Sequence, residues 1–210
     1  WPTPEEDAAT HALIGERLVV NTHGILGYAA MNSGTLRQAL DLFERYIGVR
    51  TTLVAVSHEV QGAEVRVQFQ EPIPLGDIQR TVLEAIVLTV KNVLDYITMG
   101  SRHVQWVAFP FAQPDYAELA ADMFGCEVRY GQTWAGFTIP AGVLDQPLTM
   151  ADAATFAQAA AICERELDKV QQNASLANKV RRIMLEKQNG FPSLQVTARL
   201  FHLTPRTLHR

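Results

Sequence analysis

Residues 192–210 read PSLQVTARLFHLTPRTLHR, and this stretch decides how the rest of the chain is interpreted. Ser193 is a good helix N-cap, and a helical pattern follows it over residues 194–201. Thr204 and Pro205 begin a second helix, because threonine caps well and proline is favoured at the first helical position. Two short helices joined by a tight turn predict a helix-turn-helix.

The second helix of such a motif enters the major groove of DNA, and its side chains contact bases and phosphates. Ala198, on the first helix, is small where the two helices of the motif must approach closely. The residues that we expect to contact DNA are Thr204, Arg206, Thr207, His209 and Arg210.

The stretch resembles the first helix-turn-helix of AraC/XylS-family transcription regulators, whose usual pattern is PSLEEVARRLGMSPRTLRR. His202 stands at the turn position that is usually Gly, and Phe201 replaces a Leu. The family's second helix-turn-helix is absent, and the chain begins with Trp1 rather than Met. We therefore expect a chain trimmed at both ends that binds DNA poorly by itself. The residues in register are Pro192, Ser193, Leu194, Ala198, Arg199, Pro205, Arg206, Thr207, Leu208 and Arg210.

Charge is distributed unevenly along the chain. The net charge of -4 over 210 residues argues against a protein devoted wholly to nucleic-acid binding. Residues 176–210, however, hold seven Lys or Arg and one acidic residue, whereas the preceding residues hold 11 basic and 21 acidic ones. An acidic body with a basic tail fits a protein whose tail approaches DNA phosphates, and an exposed basic helix without a partner is the alternative.

The body of the chain mixes strand and helix patterns that predict an α+β fold, with an antiparallel or mixed sheet. A long helix at 78–99 is apolar on more than one side, so we place it in the core, packed on the sheet. The other predicted elements are helices at 8–20, 35–47 and 114–124, and strands at 49–58, 63–70 and 103–109. The last pair, 127–130 and 134–139, is expected to form a hairpin.

Residues 149–190 carry helical patterns that would connect a sensor to a DNA-binding domain. Thr149-x-x-Asp152 predicts a capping box, and a break near Asn173 separates the first helix from a second at 176–188. The apolar stripe of the first helix fits either packing on the sensor or pairing between two subunits. That stripe consists of Phe156, Ala160, Cys163, Leu167 and Val170.

Six short motifs are spaced through the body: Leu26-Gly27-Tyr28, Ser33-x-Thr35-Leu36, Trp106-x-x-Phe109, Pro114-x-Tyr116, Phe124-Gly125 and Leu144-x-x-Pro147-Leu148. They resemble the arabinose-binding-type sensor domain of one AraC-family branch, to which ornithine-utilisation regulators belong. Phe111 stands where that branch often has His. The resemblance implies an effector-sensing domain at 1–148, a helical linker at 149–190 that serves dimerisation, and an incomplete helix-turn-helix domain at 191–210.

Sequence signatures of catalysis are absent: there is no G-x-S-x-G, phosphate-binding Gly loop, H-E-x-x-H or C-x-x-C. The six His are scattered, so we expect no metal, haem or other cofactor. Cys126 and Cys163 show no disulfide spacing, and no apolar run is long enough to span a membrane. We therefore expect a cytoplasmic protein that is not an enzyme.

Small-molecule sensing is the function that remains. A ligand pocket is mostly apolar with a few convergent polar groups, and arginine suits a carboxylate because its guanidinium binds both oxygens. The predicted walls are Trp106, Phe109, Phe111, Tyr116, Tyr130 and Trp134. The predicted polar groups are Arg50, His58, Arg66, Arg102 and His103. For each residue the alternative is ordinary core packing or solvation.

The resemblance implies a homodimeric bacterial transcription regulator that responds to a small-molecule effector, binds promoter DNA and has RNA polymerase as a further partner. Effectors within the family include amino acids such as ornithine, fatty acids, aromatic acids and a cyclic dinucleotide. Two other classes stay open, namely a constitutive dimerisation module without a ligand, and an enzyme or haem-type gas sensor.

Overall fold

The computed structural model describes residues 24–186, 193–201 and 203–209. The chain divides into two compact units, Trp1–Glu166 and Leu167–Arg210. The helix expected at residues 8–20 lies outside the described residues.

The first unit mixes helices with one five-stranded sheet, which confirms the predicted α+β class. Its helices are α1 (Gly24–Met31), α2 (Leu36–Tyr46), α3 (Gln79–Ile97), α4 (Ala117–Phe124) and the start of α5 (Ala153–Glu186). Its strands are β1 (Ala55–Gln61), β2 (Glu64–Gln70), β3 (Trp106–Ala108), β4 (Glu127–Arg129) and β5 (Ala135–Pro140). The second unit contains the rest of α5, α6 (Leu194–Leu200) and α7 (Pro205–His209).

The strands lie in the order β1-β2-β5-β3-β4. The pairs β1–β2, β2–β5 and β5–β3 are antiparallel, while β3 and β4 are parallel. The predicted hairpin of 127–130 with 134–139 is therefore wrong. β4 pairs with β3 instead, because α4 connects them as a crossover, and parallel strands need such a connection.

The core lies on one face of this sheet. Val67 of β2 is paired with Phe137 of β5, and both side chains are fully buried. The long helix α3 packs on β5 and has buried residues along its whole length, including Leu83, Val90 and Ile97. The prediction of a long buried helix on a mixed sheet is thus confirmed.

At Gly136, in the centre of the sheet, the backbone of β5 lies unusually close to the backbone of β2. The glycine's φ of 148° is a conformation that residues with a side chain rarely adopt. A Cβ at this position would lie 1.9 Å from the carbonyl oxygen of Val67 on the neighbouring strand. Only glycine therefore allows β5 to pair with β2 in this register.

Several predicted boundaries shift for local reasons. The long helix α3 begins at Gln79 rather than at residue 78, because a 3₁₀ turn occupies Gly76–Ile78. Asp152 rather than Thr149 caps α5, since its Oδ1 accepts from the amide of Thr155 at 2.9 Å. The first strand begins later than expected, because a 3₁₀ turn occupies Ile47–Val49.

The expected break near Asn173 is also wrong, because α5 is one helix of 34 residues. A single asparagine costs a helix only a few tenths of a kcal/mol, about 0.7 at most, which good helix formers on either side outweigh.

Replacing Gly136 with alanine should destabilise the sensor unit by about 3 kcal/mol or more, because the methyl group clashes with the backbone of β2. Urea denaturation followed by circular dichroism measures the loss. Gly142→Ala is the matched control, since a Cβ there meets nothing within 4 Å, and it should change stability by less than about 1 kcal/mol. Equal stabilities for the two variants would contradict this account.

Candidate effector site and DNA-binding element

Four side chains form a row in which two tryptophan rings lie between two arginines, here called the Arg–Trp ladder. The guanidinium carbon of Arg66 lies 4.6 Å from the ring centre of Trp134. The rings of Trp134 and Trp106 meet edge to face at 5.4 Å, and the guanidinium of Arg129 lies 4.1 Å over Trp106. The ladder begins on β2 with Arg66, continues with Trp134 directly before β5, and ends with Trp106 on β3 and Arg129 on β4.

Strand alternation places this ladder on the face of the sheet opposite to the core. Arg66, Thr138 and Trp106 are successive partners across β2, β5 and β3, and they alternate with the buried Val67 and Phe137. The ladder side chains are partly exposed, whereas Thr138 between them is 2% exposed.

Two buried polar atoms beside the ladder have no hydrogen-bond partner among the described residues. They are Nε of Arg66 and the hydroxyl oxygen of Thr138, which belong to directly paired positions. An unsatisfied buried donor costs about 1–3 kcal/mol, so a group that accepts from either atom would be bound favourably.

The two cations of the ladder differ in their partners. Arg129 donates to both carboxylate oxygens of Glu127, at 2.9 and 2.8 Å. This pairing raises the pKa of Arg129 and lowers the pKa of Glu127. Arg66 makes no ion pair with any residue that the structure describes. The positive charge of the ladder is therefore concentrated at its Arg66 end.

A second cluster of aromatic rings lies on the core side of the sheet. Phe109 stacks on Phe111 at 4.9 Å and also contacts Phe124 and Tyr130. Arg80 lies 5.1 Å over the ring of Phe111. These rings fill the space between α4 and the ends of β3 and β4, so most of the predicted aromatic residues serve as core.

Glu84 of α3 brings a buried carboxylate to this cluster. It is 7% exposed and accepts from the hydroxyl of Tyr116 at 3.0 and 3.2 Å. Burial and the charge of Glu84 raise the pKa of Tyr116, and they raise the pKa of Tyr130 to about 12. Both phenols therefore stay neutral donors throughout the physiological range.

The remaining predicted polar residues lie apart from the ladder. His58 points to the core face, where Nδ1 is 2.8 Å from Glu44 and Nε2 is 3.5 Å from Asp41, both on α2. Arg50 lies beside Gly24.

Arg102 and His103 also lie elsewhere in the first unit. Arg102 packs against Gly125 at the end of α4. His103 lines a crevice with Leu94 and Thr98 that is too small to hold a water molecule. Of the eleven predicted effector residues, the structure thus brings only Arg66, Trp106 and Trp134 together in the ladder.

Sequence reasoning missed Arg129, Thr138 and Glu84. Arg129 and Thr138 stand in alternating strands, so the strand register would have placed them beside Trp106. Glu84 carried no signal, because a single acidic residue on an apolar helix is normally read as exposed.

The two short helices of the second unit, α6 and α7, have the predicted caps. The hydroxyl of Ser193 accepts from the amide of Val196, and that of Thr204 accepts from the amide of Thr207. Ala198 is fully buried. The two helices are therefore built as the sequence predicts. Thr204, Arg206 and Thr207 are exposed, His209 ends α7, and His202 and Arg210 lie outside the described residues.

The beginning of α5 is tied to the sensor by polar contacts. The hydroxyl of Tyr46 on α2 donates to Glu164 at 2.6 Å, and Arg45 lies 3.0 Å from the same carboxylate. The amide of Asp152 donates to the carbonyl of Asn32 after α1. These contacts fix the first turns of α5 on α1 and α2.

No helix in the described ranges is both long enough and apolar enough to cross a membrane. In chain order, the described residues form a sheet with a buried helix, then a long helix, then a pair of short capped helices. Residues 6–148 match the family described as the arabinose-binding domain of AraC transcription regulators, N-terminal, and the chain belongs to this family.

Curated relatives are also similar over most of this chain. The ornithine utilization regulator of Pseudomonas aeruginosa is 27% identical over 204 residues, which cover 97% of this chain and 60% of the relative. The HTH-type transcriptional regulator VirS of Mycobacterium tuberculosis is 27% identical over 197 residues, or 89% of this chain and 56% of the relative. The chain thus spans 56–60% of the length of these two regulators.

A solved structure has a similar fold. The crystal structure of the transcriptional regulator CdpR from Pseudomonas aeruginosa superposes with a TM-score of 0.61 at 18% identity. The match covers 99% of this chain and 67% of that protein.

Tyr46→Phe should lower the thermal midpoint by a few degrees at neutral pH, because it removes a hydrogen bond to a carboxylate. The contact lowers the pKa of Glu164 from 4.5. A lowered folded pKa stabilises the protein above the unfolded pKa, and this contribution disappears as pH falls through the folded value. The difference between wild type and variant should therefore shrink below about pH 4.5.

Thermal scans of both proteins from pH 3 to 8 test this. Tyr28→Phe is the control, since Tyr28 is half exposed and should show no effect at any pH. A difference that stays constant across the range would contradict the assigned contact.

Proposed function

We propose that this chain is the effector-sensing part, with the start of the DNA-binding domain, of a ligand-responsive transcription regulator. The observation that carries this proposal is the pair of helices α6 and α7, capped by Ser193 and Thr204, in the register of an AraC-type helix-turn-helix. Membership of the AraC sensor family and the regulators named among its relatives support it. On the same grounds we assign the chain no catalytic activity.

The three parts would act in sequence. A sensor domain at 1–148 binds the effector, a helical linker at 149–190 responds, and residues 191–210 begin the domain that binds promoter DNA. The end of the family match at residue 148 supports the first boundary. The contact of Tyr46 with Glu164 supports a mechanical connection between the sensor and the start of α5.

The partners follow from this role. Because the protein would bind promoter DNA, we place it in the bacterial cytoplasm. DNA sites with two half-sites favour a homodimer. RNA polymerase is the partner through which such a regulator would change transcription. The effector belongs to the carboxylic acids, either an amino acid such as ornithine, a fatty acid or an aromatic acid. The name of the ornithine utilization regulator supports the first class, and the unpaired charge of Arg66 supports a carboxylate in general.

In the full-length protein, Arg206→Ala should weaken specific DNA binding about 5- to 100-fold, because Arg206 is exposed on the helix proposed to enter the major groove. Duplexes selected from a random library, then titrated by fluorescence anisotropy at fixed salt, measure the affinity. Arg165→Ala, an exposed arginine on α5, is the control and should change it less than about twofold. Unchanged affinity in Arg206→Ala would count against the proposed DNA-binding element.

A further inference from the structure

The two arginines of the Arg–Trp ladder have only one carboxylate partner among the described residues. Glu127 neutralises Arg129, but none of the described residues forms an ion pair with Arg66. The cross-strand neighbour of Arg66 on β1 is Glu59, whose carboxylate instead accepts from the side chain of Gln61 at 3.1 Å. An anionic ligand would complete the charge balance at this end of the ladder.

The donors beside Arg66 match a carboxylate. Nε of Arg66 and the hydroxyl of Thr138 are both buried and have no hydrogen-bond partner in the part of the chain that the structure describes, and the two residues are paired on adjacent strands. A carboxylate has two oxygens, and each accepts from one donor, so a single group satisfies both.

The next row of the sheet provides a flat floor. Ala108 and Gly136 are paired across β3 and β5, both are buried, and neither has a side chain beyond Cβ. The rings of Trp106 and Trp134 stand beside this floor. A flat aromatic ring can stack there on an indole, whereas an aliphatic chain would gain less from these rings.

Access to the two donors requires one side chain to move. Both atoms are buried in this structure, and Trp134 is the member of the ladder that lies outside a strand. It follows a loop in which Gly131 has a φ of 67°. Its ring covers Gly136, since a Cβ there would lie 3.0 Å from Cζ3 of Trp134, so turning this indole outward uncovers the floor.

We infer that the Arg–Trp ladder is the effector site of this sensor and that it binds a planar aromatic carboxylate, an inference that rests on the function proposed above. The carboxylate accepts from Arg66 and Thr138. The ring lies over Ala108 and Gly136 against Trp106, and Trp134 turns outward to admit it.

Isothermal titration of the full-length protein with benzoate and with indole-3-carboxylate tests the ligand class, and tryptophan fluorescence follows the movement of Trp134. Cyclohexanecarboxylate keeps the charge without the flat ring, and it should bind about fivefold more weakly. Benzylamine keeps the ring with the opposite charge and should not bind. Ornithine and octanoate represent the competing effector classes.

Three variants locate the site. Arg66→Gln should weaken benzoate binding at least about tenfold, whereas Arg102→Gln, at an arginine that packs against Gly125 away from the ladder, should weaken it less than about threefold. Thr138→Val preserves the shape and should weaken binding about fivefold. If Arg66→Gln does not fold, the benzoate affinity of Thr138→Val alone tests whether the ligand binds at the ladder.

Equal losses in the two arginine variants, or unchanged affinity in both Arg66→Gln and Thr138→Val, would overturn the inference. Binding of ornithine or octanoate in place of the aromatic acids would overturn it too, while leaving an effector-responsive regulator intact. Failure of the regulator function itself appears separately, in the DNA titration of Arg206→Ala.

Discussion

The close approach of β5 to β2 at Gly136 is the constraint on which the sensor depends. These two strands join the β1–β2 hairpin to the β3–α4–β4 crossover, so their pairing connects the two halves of the sheet. The same pairing sets Val67 against Phe137 in the core and Arg66 against Thr138 on the opposite face. One backbone contact therefore positions both the packing that stabilises the domain and the residues proposed to bind its ligand.

The two faces of the sheet divide the aromatic residues by role. On the core side, Phe109, Phe111 and Tyr130 contact one another and are held by α4 and by the buried Glu84 network. On the other side, Trp106 and Trp134 contact arginines and leave two polar atoms unsatisfied. The buried hydroxyl of Tyr130 on the core side also has no hydrogen-bond partner among the described residues, so the ladder is distinguished by having two such atoms at directly paired positions.

Local signals predicted local structure well. Ser193 and Thr204 cap their helices, Gly125 ends α4 in the left-handed conformation, and β2 alternates as its sequence indicates. The pairing of β4 was predicted wrongly. A strand this short does not encode its partner, and its parallel pairing with β3 follows from the crossover helix between them. The ladder residues come together only through the pairing of β2, β5, β3 and β4. The sequence therefore predicted Arg66 and Trp106 as separate candidates and did not indicate that Arg129 and Thr138 lie beside them.

The uninterrupted length of α5 has a consequence for how such regulators diverge. Every residue inserted into a continuous α-helix rotates all that follows by about 100° and advances it by about 1.5 Å. Because Asp152 and Glu164 both contact the sensor, one residue inserted between them would turn Glu164 away from the hydroxyl of Tyr46. Related sensors that keep both contacts should therefore change the length of this segment only in steps of about seven residues, or two turns.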